Sequence, residues 1–216
     1  MDNPEPLAPP PPPPPPPAMP SSAGGYPARF ELDADRQIAR WRPLVQWFLA
    51  IPHWFVSSVL VFVGELVAIV SWFVILFTGK LPDGLANFQS MVLRYMSRTY
   101  AYGTGLLAPY PPFEFATTPA DPRVYPARAD FEPELEGRNR LTSALRLIWA
   151  IPAAIVTYII GIIAFFAWLI GVFAVLFTGG WPDGLRSWVL KGIRAYLRLY
   201  AYMFLMTDKY PPMSFD

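Results

Sequence analysis

The sequence predicts an all-α integral membrane protein, built as two tandem helical hairpins with short Tyr-Pro strands at the membrane surface. One reason is the pair of long apolar runs at residues 44–77 and 145–177. Another is a repeated stretch, LFTGKLPDGL at residues 76–85 and LFTGGWPDGL at residues 176–185. Only 15% of the 216 residues are charged, whereas soluble domains average about 25%. Each predicted hairpin pairs a long spanning helix with a basic-striped amphipathic helix.

Composition also narrows the possible functions. The net charge of +1 provides no basic field for nucleic acid. The chain has no cysteine, and its single histidine, His53, cannot form a histidine cluster for a metal ion. The sequence contains no phosphate-binding glycine loop and no arguable Ser/His/Asp arrangement. We therefore expect no nucleic-acid partner, no cofactor and no enzymatic activity.

Residues 1–25 are predicted to form a disordered Pro-rich tail. Pro9 to Pro17 are nine consecutive prolines, which favour polyproline II because proline fixes φ and has no N–H. The tail is either a simple spacer or a docking strip for the aromatic groove of a partner protein. It lacks the regions of a signal peptide, so we expect the first apolar helix to direct membrane insertion.

The first predicted membrane repeat covers residues 26–116. It begins with an alternating segment, residues 26–32, which favours a short strand at the membrane surface. The long apolar run that follows would extend about 51 Å as one helix, well beyond the roughly 30 Å hydrocarbon core. Pro52 is the expected break. We therefore predict that residues 44–51 lie at the interface and that residues 54–77 span the membrane.

The repeated stretch is predicted to be the bend of each hairpin. A glycine after a long apolar helix favours the left-handed conformation that ends many helices. The Pro-Asp-Gly sequence favours a tight turn, and its aspartate is placed to cap the next helix. Both turns should lie at the same membrane face if the hairpins return across the membrane. The turn residues are Gly79, Pro82, Asp83 and Gly84 in the first repeat and Gly179, Pro182, Asp183 and Gly184 in the second.

A narrow basic stripe marks the helix after each turn. In the first repeat, the polar residues of the segment 85–107 fall on one side of a helical wheel. Such a stripe is either an edge that reaches anionic lipid headgroups or a polar path between the hairpins. The segment that follows, APYPPFEF at residues 108–115, favours an extended surface strand. The basic residues of the two stripes are Arg94, Arg98, Lys191, Arg194 and Arg198.

The second predicted repeat, residues 125–216, follows a Pro-rich linker at residues 117–124. It matches the first repeat at a spacing of about 100 residues, which indicates duplication. One difference concerns charge, because Glu65 in the first long helix is replaced by phenylalanine in the second. An acidic residue inside a membrane is a candidate functional group, but the favoured interpretation is a structural pair with Arg98 or Arg94.

Four motifs occur in both repeats: Tyr-Pro-x-Arg at the start, Ala-Ile-Pro at the break, Leu-Phe-Thr-Gly-x-x-Pro-Asp-Gly at the turn and Tyr-Pro-Pro-x-x-Phe at the end. Together they resemble the bacterial membrane family called domain of unknown function 4389. The resemblance covers roughly residues 26–215. It implies a multi-pass membrane protein, and it provides no activity and no catalytic residue.

Two membrane topologies are open from the sequence. In the first, only the long helices span, and the striped helices lie flat in the interface. In the second, all four helices cross, which agrees with an excess of Lys and Arg on the side that would hold the N-terminus. The second topology places the stripes in the membrane, at about 2.5–3.5 kcal/mol for each unrelieved charge at the centre.

The expected location is a bacterial cell membrane, with a multi-pass chain and both termini in the cytoplasm. The favoured function is a non-enzymatic accessory or scaffold protein that engages anionic lipids and partner proteins. The alternative is a small transporter or channel with an Arg-lined polar path. Small residues at helical spacing favour close helix packing within the chain or in a homo-oligomer.

Overall fold

The computed structural model describes residues 25–118 and 120–212, so almost all of the predicted tail lies outside the described residues. The described part is mostly helical, with six helices and one two-stranded sheet. In chain order the elements are β1 Ala28–Leu32, α1 Arg42–Leu49, α2 Ile51–Thr78, α3 Asp83–Gly103, β2 Ala127–Phe131, α4 Arg140–Ala144, α5 Arg146–Thr178 and α6 Asp183–Met203.

The two long helices have the predicted positions. α2 has 28 residues and α5 has 33, and both are long and apolar enough to cross a membrane by length and composition. In the first repeat, the break falls at Ala50, next to Pro52, which lies in the first turn of α2 where its missing N–H is tolerated. In the second repeat, Pro152 lies inside α5, and the break falls earlier, at Leu145.

The repeated turns confirm the role of glycine and correct the role of aspartate. Gly79 and Gly179 end α2 and α5 with φ values of 71° and 78°, in the left-handed region. The cap of α3 is Pro82, in an extended conformation, and no side chain caps the helix. The predicted cap by Asp83 is therefore wrong. This residue is the first of the helix, where its negative charge still favours the positive end of the helix dipole.

Each long helix forms an antiparallel hairpin with the striped helix that follows it. Near the turn, Gln89 Nε2 lies 3.5 Å from Ser71 Oγ. At the far end, the rings of Trp54 and Tyr100 lie 4.8 Å apart between centroids. α3 therefore runs antiparallel to α2 along its whole length. A topology in which the long helix spans while the striped helix lies flat does not agree with this hairpin.

The two hairpins dock through backbone hydrogen bonds that each turn makes to the other repeat. Leu81 N donates to Leu135 O at 2.8 Å, and Trp181 N donates to Arg36 O at 3.0 Å. Each turn thus binds the segment that precedes the helices of the other repeat. The end of α2 lies near the start of α5, and the end of α5 lies near the start of α1. The turns are therefore at opposite ends of the molecule, and the prediction of a common face is wrong.

A small antiparallel sheet lies at the centre of this arrangement. β1 pairs with β2, with Phe30 opposite Ala129 at the middle of the register. α3 contacts β2, and α6 contacts β1, so each striped helix lies between its long helix and the sheet. The predicted first strand is confirmed. The predicted strand at residues 108–115 is irregular instead, because three prolines there remove the N–H groups that a ladder needs.

Candidate functional site

The polar face of α3 is buried against the inter-repeat linker and β2. Arg94 and Arg98 are 3% and 2% exposed. Arg98 Nη1 lies 2.6 Å from Glu114 Oε2, and its Nη2 lies 2.9 Å from Asp121 Oδ1. Arg94 Nε lies 3.4 Å from the other oxygen of Asp121. One buried carboxylate thus bridges two arginines of the same helix, and we call these four residues the α3 arginine cluster.

Backbone groups add hydrogen bonds to Arg94 and Asp121, whereas Arg98 Nε is buried without a hydrogen-bond partner. Arg94 donates to the carbonyl oxygens of Ala116, Thr118 and Ala129 at 3.3–3.4 Å. Asp121 Oδ2 accepts the N–H of Ala129 at 3.0 Å. Burial lowers the pKa of the Arg94 guanidinium, and the Asp121 charge opposes that shift. A buried charge needs both pairing and hydrogen bonds, and the α3 arginine cluster provides both.

The corresponding basic residues of α6 are less covered. Arg194, Arg198 and Lys191 are half-buried. Arg194 Nε donates to the carbonyl of Phe30 in β1 at 3.3 Å. The guanidinium of Arg198 lies 6.0 Å from the ring centre of Tyr26. Arg194 thus contacts a carbonyl oxygen of β1, and Arg198 contacts an aromatic ring beside β1.

Glu65 does not form the predicted pair with an arginine of α3. It is exposed on α2, whereas Arg98 contacts Glu114 and Asp121. The pKa of Tyr200 in α6 is raised by burial and, to a lesser degree, by the charge of Glu65. The prediction failed because the polar face of α3 points away from α2, so equal depth along the hairpin does not bring these side chains together.

A second ion cluster, which the sequence analysis missed, ties the end of α6 to the start of α5. Asp208 Oδ1 lies 2.7 Å from Arg138 Nη2 and 2.6 Å from Arg146 Nη2. Arg138 also donates to the carbonyl of Leu205, and the Arg146 guanidinium lies 4.1 Å from the ring centre of Tyr202. We call Arg138, Arg146 and Asp208 the Asp208 cluster. The available signal was that all three positions are charged only in the second repeat.

The pKa of Asp208 reflects two opposing effects. Burial raises the pKa of this carboxyl group. Hydrogen bonds from Arg138 and from the N–H of Asn139, together with the charges of Arg138 and Arg146, outweigh burial and hold the pKa below its ordinary value. The carboxylate is therefore charged at neutral pH, and it neutralises part of the arginine charge at this end of the molecule.

His53 is buried where α2 meets α3 and the segment after α3. Its Nδ1 lies 2.7 Å from the Tyr95 hydroxyl, and its ring stacks on Phe113 with centroids 4.2 Å apart. These contacts give His53 a place in an aromatic cluster. Across the residues that the structure describes, no group of three or more His, Cys, Asp or Glu side chains is placed to hold a metal ion.

The long helices expose a large apolar surface on the side opposite the sheet. Only one face of α2 is buried, and α5 follows the same pattern. A surface of this size marks a site of membrane or protein interaction. We call it the apolar face, and its exposed members include Phe55, Phe62, Leu66, Ile69, Phe73 and Phe77 in α2 and Ile155, Ile159, Phe166, Ile170, Phe173 and Phe177 in α5.

A family model matches both halves of the chain. The model, described as "Domain of unknown function (DUF4389)", matches residues 40–114 and residues 140–214. The chain belongs to this family. The predicted family and its two tandem copies are thereby confirmed. A search of the curated proteins and a search of the solved structures each gave no match.

The DUF4389 matches divide the α3 arginine cluster into two parts. Arg94, Arg98 and Glu114 fall within the first matched range. Asp121 lies between the two ranges, in the linker, and both strands also lie outside the matched residues. The bridging carboxylate is therefore supplied by the connection between the two DUF4389 repeats.

Proposed function

We propose that the chain is a non-enzymatic membrane accessory protein that lies in one leaflet of a bilayer. In this arrangement, the apolar face enters the lipid and the β1–β2 sheet stays in water. The observation that supports it best is the position of the sheet. The sheet packs at mid-length of the hairpins, on the side opposite the apolar face, with α3 and α6 between the two.

The charges on the outward face of the sheet make it unfavourable for α2 and α5 to cross the bilayer. Arg29, Glu31 and Arg128 lie on this face, and Arg29 and Arg128 pair there with Glu132 and Asp33. If α2 and α5 crossed the bilayer, these charges would lie near its midplane. An unshielded charge there costs about 2.5–3.5 kcal/mol, and an ion pair still loses its hydration on burial, so the crossing orientation is unfavourable for this face. An orientation in the membrane plane avoids this cost.

Burial of the apolar face in lipid favours membrane binding. Phe77 and Phe177, near the ends of α2 and α5, are 78% and 77% exposed. A side chain of this size gains about 1.5–3 kcal/mol when it is fully removed from water. The members of the apolar face lie along the whole length of both helices, so they can enter one leaflet together when the helices lie in the membrane plane.

Two exposed arginines support a preference for anionic lipids. Arg40 lies beside Gly179 at the end of α5, and Arg140 lies beside Gly79 at the end of α2. Both positions are at the edge of the apolar face, where lipid phosphates would meet them. The predicted lipid contacts were the basic stripes of α3 and α6. In α3, however, Arg94 and Arg98 are buried and cannot reach lipid.

The α3 arginine cluster favours an accessory role over an Arg-lined path. Arg94 and Arg98 are engaged by Asp121 and Glu114. Opening a path between them would break buried ion pairs, at a cost of about 3–5 kcal/mol when a partner is lost. We propose that partner proteins bind the Pro-rich tail, or that a second copy of the chain or another membrane protein binds the apolar face.

Single cysteines test the orientation, since the chain has no cysteine of its own. The test positions are Lys80, Thr118 and Asp183, all exposed, in protein reconstituted into vesicles. In the one-leaflet arrangement, a membrane-impermeant maleimide labels all three from the same side. If the long helices cross, Lys80 and Asp183 label from opposite sides and Thr118 is protected, which contradicts the proposal. A third outcome is that Lys80 and Asp183 label from one side and Thr118 labels from the other. It would contradict both the one-leaflet arrangement and the antiparallel docking of the two hairpins.

Vesicle flotation tests the lipid preference. The wild-type chain should bind phosphatidylglycerol vesicles more tightly than phosphatidylcholine vesicles. Replacement of Arg40 and Arg140 by alanine should weaken the binding to anionic vesicles, by about 1 kcal/mol for each arginine near the surface. Replacement of Arg29 and Arg128, on the outward face of the sheet, removes the same charge and is the matched control. Equal losses for both double variants would contradict the assignment.

A further inference from the structure

An apolar cavity of about 420 Å³ lies between the two halves of the molecule. It is bounded by α1, the start of α2, α3, α5 and α6, and none of its lining residues is charged. Two lining residues, Trp47 and Phe165, are also 52% and 54% exposed among the apolar side chains of α1 and α5, so the cavity opens toward the apolar face. Its inner wall includes Trp54, Tyr100, Thr104, Gly161 and Trp168.

The corresponding space in the other half of the molecule is filled. There, Phe204 takes the place of Thr104 and is almost fully buried. A Cβ atom added to Gly64 would lie 2.8 Å from the Phe204 ring, so this ring packs directly against α2. Leu197, also buried, takes the place of Ser97. One fold therefore has a hollow side and a filled side, and the smaller side chains of Ser97 and Thr104 contribute to the difference.

We propose that this cavity holds one hydrocarbon chain of a membrane lipid. The inference rests on the proposed function, because the hydrocarbon chain must enter from lipid that covers the apolar face. The cavity volume lies within the range of about 300–1,000 Å³ that is usual for ligand pockets. An uncharged, aromatic lining suits a hydrocarbon, whereas a polar ligand would lose hydrogen bonds to water without replacement.

The hydrogen bonds around the cavity indicate which end of the lipid enters. Trp168 Nε1 donates to the Thr104 carbonyl, and Thr104 Oγ1 donates to the Tyr100 carbonyl. Ser97 Oγ donates to the Arg94 carbonyl. The indole and the two hydroxyl donors are therefore engaged within the protein. These three donors offer a lipid phosphate little, and the lining has no charged side chain to bind one, so the hydrocarbon chain is the part of the lipid that suits the cavity.

Photo-crosslinking in vesicles tests this inference. The probe is phosphatidylglycerol with a diazirine at the end of one acyl chain, and the labelled peptides are identified by mass spectrometry. Thr104→Phe and Ser97→Leu fill the cavity with the residues of the other repeat. Either change should lower labelling of Val189 and Ile193, two buried residues of α6 that line the cavity, by about tenfold, which corresponds to about 1.4 kcal/mol. Ile69→Phe adds an aromatic ring to the apolar face outside the cavity, and it should leave this labelling unchanged.

The same experiment separates the two proposals. Peptides that contain Phe73 and Phe173, on the apolar face, should be labelled in every variant if the face lies in lipid. If the face is labelled and Val189 and Ile193 are not, or if both filling variants keep full labelling there, the cavity inference is wrong and the membrane proposal stands. If the wild-type chain does not float with vesicles and the face is unlabelled, the proposed function itself is wrong. Circular dichroism confirms that each variant is folded, and two filling variants guard against the failure of one.

Discussion

The two repeats carry the same arginine spacing in different surroundings. In the first repeat, Arg94 and Arg98 are buried and share the carboxylate of Asp121. In the second, Arg194 and Arg198 are half-buried beside β1. In the first repeat, the linker covers α3 and supplies the carboxylate of Asp121. Duplicated helices therefore need different neighbours to satisfy the same charges, and the connection between the copies becomes part of the first copy's interior.

The reverse contrast holds where each striped helix ends. In the second repeat, the Asp208 cluster ties α6 to the start of α5 through buried ion pairs. In the first repeat, the corresponding positions are Ile38, Gln46 and Ala108, and Gln46 Nε2 donates to the Leu107 carbonyl at 2.7 Å. In the first copy, the Arg42 guanidinium also donates to the Ala108 carbonyl. The same backbone junction is thus closed by bonds to backbone carbonyls in one copy and by a carboxylate that two arginines share in the other. Substitutions that remove these groups, or that replace them with those of the other repeat, measure how much each junction contributes to the free energy of unfolding.

Asp121→Asn should have the largest effect on stability. It removes the carboxylate charge that two buried arginines share, and breaking a buried ion pair in this way costs about 3–5 kcal/mol. Chemical denaturation followed by circular dichroism in detergent micelles measures the loss. Asp33→Asn is the control, because Asp33 pairs with Arg128 on the exposed face of the sheet. Similar losses for the two variants would show that the α3 arginine cluster is not a buried network.

Asp208→Ala should have the next largest effect, about 2 kcal/mol, because it leaves Arg138 and Arg146 without their shared carboxylate. The triple variant Arg138→Ile, Arg146→Gln and Asp208→Ala installs the residues of the first repeat and leaves no unpaired charge. It should therefore be more stable than the single variant, which the same denaturation measurement can decide. A triple variant less stable than the single variant would mean that the two junctions are not equivalent.

The Asp208 cluster should also make stability sensitive to acid. The folded-state pKa of Asp208 is lowered, despite burial, by hydrogen bonds from Arg138 and Asn139 and by the charges of Arg138 and Arg146. The stabilisation is therefore complete above the unfolded pKa of about 3.9 and is lost as pH falls through the lower folded value. Thermal unfolding at pH 6 and below pH 4, compared with Asp208→Asn, isolates this carboxyl group. Parallel pH curves for the two proteins would contradict the assignment.

Local patterns predicted the hairpins but could not predict how they face each other. The glycine that ends each long helix and the amphipathic stripe are properties of short segments, and both are present in the structure. The antiparallel docking depends on backbone hydrogen bonds from Leu81 to Leu135 and from Trp181 to Arg36. Such long-range bonds leave no periodic pattern in the sequence. The burial of Arg98 was equally unpredictable from its helix, because Asp121 lies 23 residues away in the linker.

The exposed ion pairs at the two turns should have the smallest effect. Lys80 Nζ lies 2.8 Å from Glu136 Oε1, and Arg36 Nη1 lies 2.6 Å from an oxygen of Asp183, with all four side chains well exposed. The hydrogen bond and charge of Lys80 lower the pKa of Glu136. Water and salt weaken such pairs, and many exposed pairs contribute nothing measurable.

Glu136→Gln and Arg36→Gln should therefore leave the denaturation midpoint unchanged at physiological salt. The backbone hydrogen bond from Leu81 to Leu135, and its counterpart from Trp181 in the other repeat, hold the docked turns in each variant. If either substitution lowered stability as much as Asp208→Ala does, exposed charges would hold the repeats together. The antiparallel docking would then be sensitive to salt, whereas docking through backbone bonds and buried side chains is expected to persist at high ionic strength.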